Sequence, residues 1–226
     1  MIVGNGLLAN EFIELIDELD DYVIFAAGVS DSSETDVSKF NRERDLILKT
    51  INENNTLKFI YFSSILAELG SSDYYNHNLE MENLVKNNVD NYVIFRLPQV
   101  IGRTGNKKNL LNHFENLIRN DSEVIVYEGI MRSLIDIEDV VDIVDYCKDK
   151  VNKKTINVSG IEKIGVISLV KLIGEILNVT PKIKIETDLK YVGWLINNSP
   201  IVKKAISYYG IEKTDYTYRI LKKYII

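Results

Sequence analysis

The first residues that could do chemistry form a glycine-rich turn at the start of the chain. A short apolar segment, Ile2–Val3, runs into Gly4-x-Gly6-x-x-Ala9, the Gly/Ala form of a nucleotide-binding turn. The glycines would allow a tight turn, and the N–H groups that open the next helix would face a pyrophosphate. We therefore expect phosphate contacts here, and the alternative is a turn kept only for packing.

A second segment, Ala26-Ala27-Gly28, follows the turn after only one predicted helix, Leu7–Leu19. An acidic residue that grips an adenine ribose is expected about 20 residues beyond such a turn, at the end of the second strand. Asp20 and Asp21 come closest in the sequence, but they precede the predicted strand Tyr22–Ala27. We interpret both as solvated turn residues.

Two hydroxyl groups end another buried strand. Ser63 and Ser64 follow the apolar run Phe59–Phe62, and ligands of open α/β sheets bind at the carboxyl ends of the strands. Ser64 could hydrogen-bond a substrate carbonyl or hydroxyl. The alternative is a serine that caps the following turn.

The next predicted helix carries the most specific pattern. Tyr74, Asn78 and Glu82 follow the spacing of the Tyr-x-x-x-Lys motif and the glutamate after it in the extended short-chain dehydrogenase/reductase superfamily. The chain resembles the branch of that superfamily made of NAD-dependent sugar-nucleotide epimerases, dehydratases and reductases. Two further segments, Phe95–Gly102 and Arg132–Val140, resemble the same branch.

The resemblance implies roles for these residues. Tyr74 would be the general acid and base, Ser64 the polarising hydroxyl, and Asn78 a contact to ribose. The cofactor would be NAD or NADP, the substrate would be a nucleotide-linked sugar, and substrate contacts would come from Gln99 and Arg132. The implied cofactor contacts are Gly4, Gly6, Leu7, Leu8, Ala26, Ala27, Gly28, Leu97 and Pro98.

One departure from the family pattern concerns the catalytic charge. Asn78 stands where the family has lysine, yet a tyrosine with a pKa of about 10 needs a nearby positive charge to work near neutrality. His77 follows Tyr74 by three residues, so a protonated His77 could partly substitute for the lysine. The alternative is a partly exposed helix histidine with no catalytic role.

A second departure concerns the length of the chain. Relatives have a helix, one or two strands and a further helix between the glycine turn and the segment that corresponds to Ala26–Gly28. We therefore expect a sheet shortened on that side, with its first strand at or near the edge. Phosphate contacts could survive there while adenine contacts are lost.

Strand and helix patterns alternate along almost the whole chain. They predict an α/β, Rossmann-like, doubly wound parallel sheet that is shortened near the N-terminus, with right-handed crossovers. We expect a nucleotide-binding domain over residues 1–154 and a small C-terminal α/β substrate lobe over residues 155–226. The two are expected to interleave as one structural unit.

The composition restricts the partners. The 226 residues carry a net charge of -6 and form no basic stripe, so no nucleic-acid partner is expected. The lone Cys147 suits a reducing cytoplasm, and we predict no signal peptide and no bilayer-spanning run. The widely spaced histidines and cysteine give no metal-site pattern, so no metal is predicted. His113 is interpreted as structural or solvated.

Some residues leave their role open. Trp194 and the pair Tyr208–Tyr209 could line a substrate cleft, and core packing is the alternative. Asp136 and the acidic residues after it are expected to orient Arg132 or to cap a helix.

The leading functional hypothesis is an atypical NAD(P)-dependent epimerase, dehydratase or reductase of a nucleotide-linked sugar. The resemblance implies a cytoplasmic role in surface polysaccharide biosynthesis and a possible homodimer. The alternative is a catalytically impaired relative that binds a nucleotide or sugar nucleotide, or serves as a partner subunit. The retained Tyr74 and Ser64 favour the enzyme, and the missing lysine and the shortened sheet favour the alternative.

Overall fold

The buried apolar runs of the sequence become the strands of a central parallel sheet. The computed structural model describes residues 1–15, 20–70, 72–104, 109–187 and 196–225. The strands are β1 (Ile2–Val3), β2 (Tyr22–Phe25), β3 (Lys58–Ser64), β4 (Tyr92–Leu97), β5 (Gln99–Ile101), β6 (Glu123–Tyr127), β7 (Met131–Asp136), β8 (Lys154–Asn157), β9 (Glu162–Gly165) and β10 (Lys182–Glu186). The helices are α1 (Leu7–Leu15), α2 (Val37–Glu53), α3 (Asp73–Asn88), α4 (Leu110–Arg119), α5 (Ile137–Lys148), α6 (Val166–Leu177), α7 (Pro200–Tyr208) and α8 (Tyr216–Tyr224).

The strands predicted near the start of the chain are confirmed to within two residues, with Ile2–Val3 as β1, Tyr22–Ala27 as β2 and Phe59–Phe62 as β3. The main differences are that β2 ends at Phe25 rather than Ala27, and that β5, β9 and α7 were not predicted. The two strands are short, so they carry little periodicity. Helix α7 had a usable signal, since Ser199 precedes Pro200 at the first helical position. The last part of the helix predicted over Leu7–Leu19 lies outside the described residues.

The chain is organised in two units that alternate along the sequence. The expected boundary at residue 154 falls inside one segment of the first unit, because the chain leaves this unit after β4 and returns to it with α5. The first unit comprises Met1–Leu97, Ile137–Val158 and Asn197–Ile211, and the second comprises Pro98–Asp136, Ser159–Ile196 and Glu212–Ile226.

The first unit is built on a five-stranded parallel sheet in the order β1-β2-β3-β4-β8. The register places Ile2 opposite Ile24, Ile24 opposite Ile60, and Ile60 opposite Val93. Strand β1 is the outer strand of this sheet. The prediction of a shortened sheet with the first strand at its edge is therefore confirmed.

Helices cover both faces of the sheet. Consecutive strand residues point to opposite faces, so Tyr61 and Phe62 of β3 mark the two sides. The Tyr61 hydroxyl donates to Glu43 of α2, and Ser63 on the same face donates to Glu82 of α3. On the other face Phe12 of α1 packs on Phe62, with ring centroids 5.5 Å apart, and α1 contacts α5.

This arrangement fixes the relative hand of the crossovers. The chain moves in one direction through β1, β2, β3 and β4, yet α1 lies on the opposite face from α2 and α3. The connection through α1 is therefore opposite in hand to the two that follow. The prediction of right-handed crossovers is therefore wrong for at least one of these connections, although that hand dominates in parallel sheets.

A buried carboxylate joins α3 to the two central strands. Glu82 is 0% exposed, and its oxygens accept hydrogen bonds from Ser63 Oγ at 2.7 Å, Arg96 Nε and Nη2 at 2.7 Å each, and Lys86 Nζ at 3.0 Å. Arg96 also donates to Glu68. Burial alone would raise the pKa of Glu82, but the donors outweigh it and hold the pKa below its ordinary value of 4.5.

The second unit contains two small sheets. In one, β7 pairs parallel with β5 and antiparallel with β9, and in the other β6 pairs parallel with β10. The Asp136 carboxylate at the end of β7 accepts hydrogen bonds from Lys223 Nζ at 2.9 Å and Tyr224 Oη at 2.7 Å. These two contacts, which the sequence did not indicate, attach α8 to β7. None of the described helices is long and apolar enough to cross a membrane.

Replacing Glu82 with glutamine removes the charge that Arg96 and Lys86 face while nearly keeping the shape of the side chain. Breaking a buried ion pair costs about 3–5 kcal/mol. The free energy of unfolding at pH 7, measured by urea denaturation, is therefore expected to fall by about 3 kcal/mol. The exposed Glu80 on the same helix is the control, and Glu80→Gln should change the free energy by less than about 0.5 kcal/mol.

The pH dependence of the same variant provides a second check. Because the pKa of Glu82 in the folded protein lies below its ordinary 4.5, the charge stabilises the fold above that pH. This contribution is lost as the pH falls through the lowered value. The difference in stability between the wild type and Glu82→Gln should narrow as the medium becomes more acidic, and a constant difference down to about pH 3 would contradict the assignment.

Candidate functional site

The predicted site residues of the first unit follow the carboxyl ends of neighbouring strands. Gly4 comes directly after β1 and Ala26 directly after β2, while Ser64 ends β3 and Leu97 ends β4. The strands are parallel and lie about 4.8 Å from each neighbour. These residues therefore lie along one edge of the sheet, in the order of the strands.

The two glycines of the first turn have different roles. Gly4 has φ +135°, and a Cβ there would lie 2.5 Å from the Ala26 carbonyl oxygen and 3.2 Å from the Ala27 nitrogen. Packing therefore requires this glycine. A Cβ on Gly6 would meet no atom within 4 Å, so the space above Gly6 is open. Gly6 also accepts the first helical hydrogen bond from the Asn10 N–H at 3.0 Å.

Helix α1 opens directly beside this open space. Leu7 and Leu8 are its first two residues, and the first N–H groups of a helix have no carbonyl partner within the helix. Both side chains are half-buried, while Gly6 is exposed. The turn can therefore present backbone donors to an anion without a side chain in the way.

The loop after β2 rests on a buried carboxylate of α2. Glu43 is 2% exposed and accepts hydrogen bonds from the Val29 N–H at 2.8 Å and from the Tyr61 hydroxyl at 2.9 Å. His77 Nε2 lies 3.0 Å from the same carboxylate. A Cβ on Gly28 would come within 3.1 Å of Glu43 Oε1, so a larger residue there would displace this carboxylate.

His77 is a buried residue rather than a partly exposed one. Its ring stacks on Phe40 at 4.5 Å between centroids, and its Nε2 pairs with Glu43. The expectation of a partly exposed histidine is therefore wrong. The structure gives His77 a role in holding α3 against α2.

Tyr74 lies in an environment that disfavours its charged form. Burial raises the pKa of Tyr74 to about 12, and the nearby Tyr75, Glu43 and Asp31 act in the same direction. Asn78 lowers this pKa by a smaller amount, and its amide donates to the Tyr74 carbonyl at 2.8 Å. The Tyr74 phenol is therefore protonated near neutrality, when it can donate a hydrogen bond, and only a small fraction of it is in the ionised form that acts as a base.

Ser64 caps the turn that follows β3. Its Oγ accepts a hydrogen bond from the Leu66 N–H at 3.2 Å, which is the alternative that the sequence left open. The Ser64 hydroxyl can still donate its own proton to a ligand. Its contact with a substrate stays a prediction. The neighbouring Ser63 points to the opposite face and donates to Glu82.

The remaining predicted contacts lie in the second unit. Pro98 begins this unit, Gln99 in β5 pairs with Leu134, and Arg132 in β7 pairs with Ile164. Gln99 and Arg132 are both partly exposed. Their contacts with a substrate or cofactor stay predictions.

Other candidates have simpler roles. Asp20 and Asp21 are exposed in the turn before β2, at the amino end of that strand, as interpreted from the sequence. Tyr208 is 71% exposed and Tyr209 is 37% exposed, so core packing was wrong for both residues. The Tyr209 hydroxyl donates to Asp145 at 2.8 Å. Trp194 lies outside the described residues.

Glu43 was not predicted from the sequence as a site residue. Its signal was its position, because Glu43 lies three residues after Phe40 and four before Ile47, on the apolar side of α2. An acidic residue in such a stripe indicates a buried polar partner. Among the residues that the structure describes, no group of three His, Cys, Asp or Glu side chains could hold a metal ion.

Comparisons with known proteins find likeness in structure alone. No family model and no curated protein matches the chain. The dTDP-glucose 4,6-dehydratase of Bacillus anthracis, solved in complex with NAD, is 15% identical with a TM-score of 0.70, and the match covers 98% of this chain and 77% of that one. The Bordetella bronchiseptica enzyme WbmH, in complex with NAD+, is 16% identical with a TM-score of 0.71 and coverages of 97% and 79%.

A third solved structure belongs to the same group of enzymes. The UDP-N-acetylglucosamine 4-epimerase of Methanobrevibacter ruminantium, in complex with UDP-N-acetylmuramic acid, is 15% identical with a TM-score of 0.66. The match covers 98% of this chain and 81% of that one. At such identities the likeness establishes the fold, and the predicted Rossmann-like α/β fold is confirmed.

The different roles of the two glycines can be tested by stability. Gly4→Ala is expected to lower the free energy of unfolding by about 3 kcal/mol, because its Cβ would overlap the Ala26 carbonyl in a strained backbone conformation. Gly6→Ala, the matched variant, should lower it by less than about 1 kcal/mol, because its Cβ would enter open space. Urea denaturation measures both, and equal losses would contradict the assignment.

Proposed function

We propose that this protein is an NAD(P)-dependent epimerase, dehydratase or reductase of a nucleotide-linked sugar. The observation that carries the proposal is the open space over Gly6 at the start of α1, on the same sheet edge as Ser64. The fold supports it, since a solved dehydratase with this fold is described in complex with NAD. The solved epimerases that share the fold act on nucleotide sugars by their descriptions.

The chain offers groups that fit the phosphates of a nicotinamide cofactor. Gly6 leaves room for close approach, and Leu7 and Leu8 provide backbone donors at a helix N-terminus. Such a cofactor supplies reversible hydride exchange when bound. Ser64 would then donate a hydrogen bond to the substrate, and Tyr74 would hold the proton that the substrate gains or loses.

The small ionised fraction of Tyr74 limits the rate at which this residue can remove a proton from the substrate. With a pKa of about 12, the phenolate is on the order of one part in 10⁵ at pH 7. Proton abstraction by Tyr74 should therefore be slow at neutrality and should speed up as the pH rises towards that value. Proton donation by Tyr74 is not limited in this way.

The surroundings of Tyr74 favour a second candidate function. Asn78 carries no charge, and burial raises the pKa of Tyr74 when the family mechanism requires it to be lowered. These facts favour a catalytically impaired protein that binds a nucleotide or sugar nucleotide, or a partner subunit. A cytoplasmic role in surface polysaccharide biosynthesis, and a homodimer, are parts of the proposal that rest on the resemblance alone.

The two candidates can be separated with one pair of variants. Asn78→Lys would place a positive charge beside Tyr74 and lower its pKa by about 1–3 units, so turnover at pH 7 should rise about tenfold or more. Asn78→Met, which has a similar length and no charge, is the control and should give no increase. Turnover is measured as interconversion of nucleotide sugars in the presence of NAD(P), and the pKa of Tyr74 by NMR of labelled tyrosine.

Cofactor binding is measured on the same proteins by fluorescence titration with NADH and NADPH. Binding with measurable wild-type turnover supports the enzyme. Binding without turnover in the wild type, with turnover gained in Asn78→Lys, supports the impaired relative. Failure of both cofactors to bind at millimolar concentration rules out the NAD(P)-dependent function.

A further inference from the structure

The glycine turn lies beside the outer strand of the sheet, so one of its sides is open. Strand β1 is only half-buried and Met1 before it is 46% exposed, whereas the neighbouring β2 is buried along its whole length. In the described part of the chain, β1 pairs with β2 and with no other strand. A ligand held at Gly6 therefore has this sheet on one side only.

All predicted contacts of the first unit lie on that side. From β1, the loop after β2 is one strand spacing away, Ser64 at the end of β3 two spacings, and Leu97 at the end of β4 three. With strands about 4.8 Å apart, these distances are about 5, 10 and 14 Å. A phosphate at the turn, with the ribose and nicotinamide attached to it, spans that range.

The other half of a dinucleotide would have no strands of this sheet beside it. In doubly wound sheets the dinucleotide lies across the point where the strand order reverses, with strands on both sides. Here the order runs one way from β1 to β8, although the helices still change face between α1 and α2. Half of the crevice is present, and the sheet that would form the opposite half is absent from the described residues.

The positions of the acidic side chains near the turn agree with this geometry. Strand β2 ends at Phe25 and is followed by Ala26-Ala27-Gly28, so no acidic residue directly follows it to grip a ribose. The first acidic residue of the loop, Asp31, accepts hydrogen bonds from the Ser33 N–H at 3.0 Å and the Ser33 hydroxyl at 2.6 Å. Asp20 and Asp21 lie at the opposite end of the same strand. The described residues therefore fit the phosphate and the half that extends towards Ser64, and they do not fit an adenosine.

We infer that this site recognises the nicotinamide mononucleotide half of its cofactor and leaves the adenosine half in solvent. The inference rests on the proposed function and narrows its ligand class. A carboxylate bound to the adenosine ribose would favour the dinucleotide by about 10- to 100-fold over the mononucleotide. Without that contact, the reduced mononucleotide should bind nearly as well as NADH.

The test is a calorimetric titration of the full chain with NADH, with reduced nicotinamide mononucleotide and with adenosine. The dissociation constants of the first two are expected to differ by less than about tenfold, and adenosine should not displace either. A preference of tenfold or more for NADH, or displacement by adenosine, would overturn the inference while leaving the proposed function intact. Failure of both nicotinamide ligands to bind would instead contradict the proposed function and remove the basis of the inference.

A variant of the turn checks that both ligands use the same site. Gly6→Val fills the open space at the turn, so it should weaken NADH and the mononucleotide by the same factor, about tenfold or more. Circular dichroism and urea denaturation check that the variant is folded. Weakening of NADH alone would mean that the mononucleotide binds elsewhere, which would overturn the inference.

Discussion

The buried carboxylate of Glu82 is the interaction on which the arrangement of the site depends. Without donors, a fully buried carboxylate would take up a proton, and Arg96 would lose the buried one of its two acidic partners. Ser63, Arg96 and Lys86 together keep Glu82 ionised, and the contacts with Ser63 and Arg96 fix α3 against β3 and β4. The first turns of α3 carry the residues predicted to do chemistry. Their position over the strand ends therefore follows from a contact one to two turns further along the helix.

Sequence reasoning predicted the strands and helices well because their signal is local. An apolar run or a helical stripe can be recognised without knowing its partners, and the close spacing of the two glycine-containing segments was enough to predict β1 at the edge. The Glu82 contacts were not predictable in this way. They require the register that sets Ser63 opposite Arg96 on neighbouring strands, and α3 against that face. The role of Glu43 was hidden for the same reason, since its partners come from three separate elements.

The chemistry of the candidate site could likewise be predicted only in part from the sequence. That Asn78 brings no charge to Tyr74 was evident from the sequence. The rise in the pKa of Tyr74 was not, because it comes from burial and from acidic residues on other elements. The hand of the α1 connection was likewise hidden, since it depends on which face of the sheet a helix covers. A general preference for right-handed crossovers could not reveal that the α1 connection differs in hand from the two that follow.

The strand order also has a consequence for how the first unit reaches its native state. Each of β1, β2 and β3 pairs with the next strand along the chain, so each of these three ladders closes a shorter loop than the pairing of β4 with β8. Strands β4 and β8 are separated along the chain by a segment of the second unit and by α5, so their pairing joins residues far apart in the sequence. Contacts of long sequence separation form slowly. The sheet is therefore expected to grow from its N-terminal strands during folding, with β8 the last strand to join.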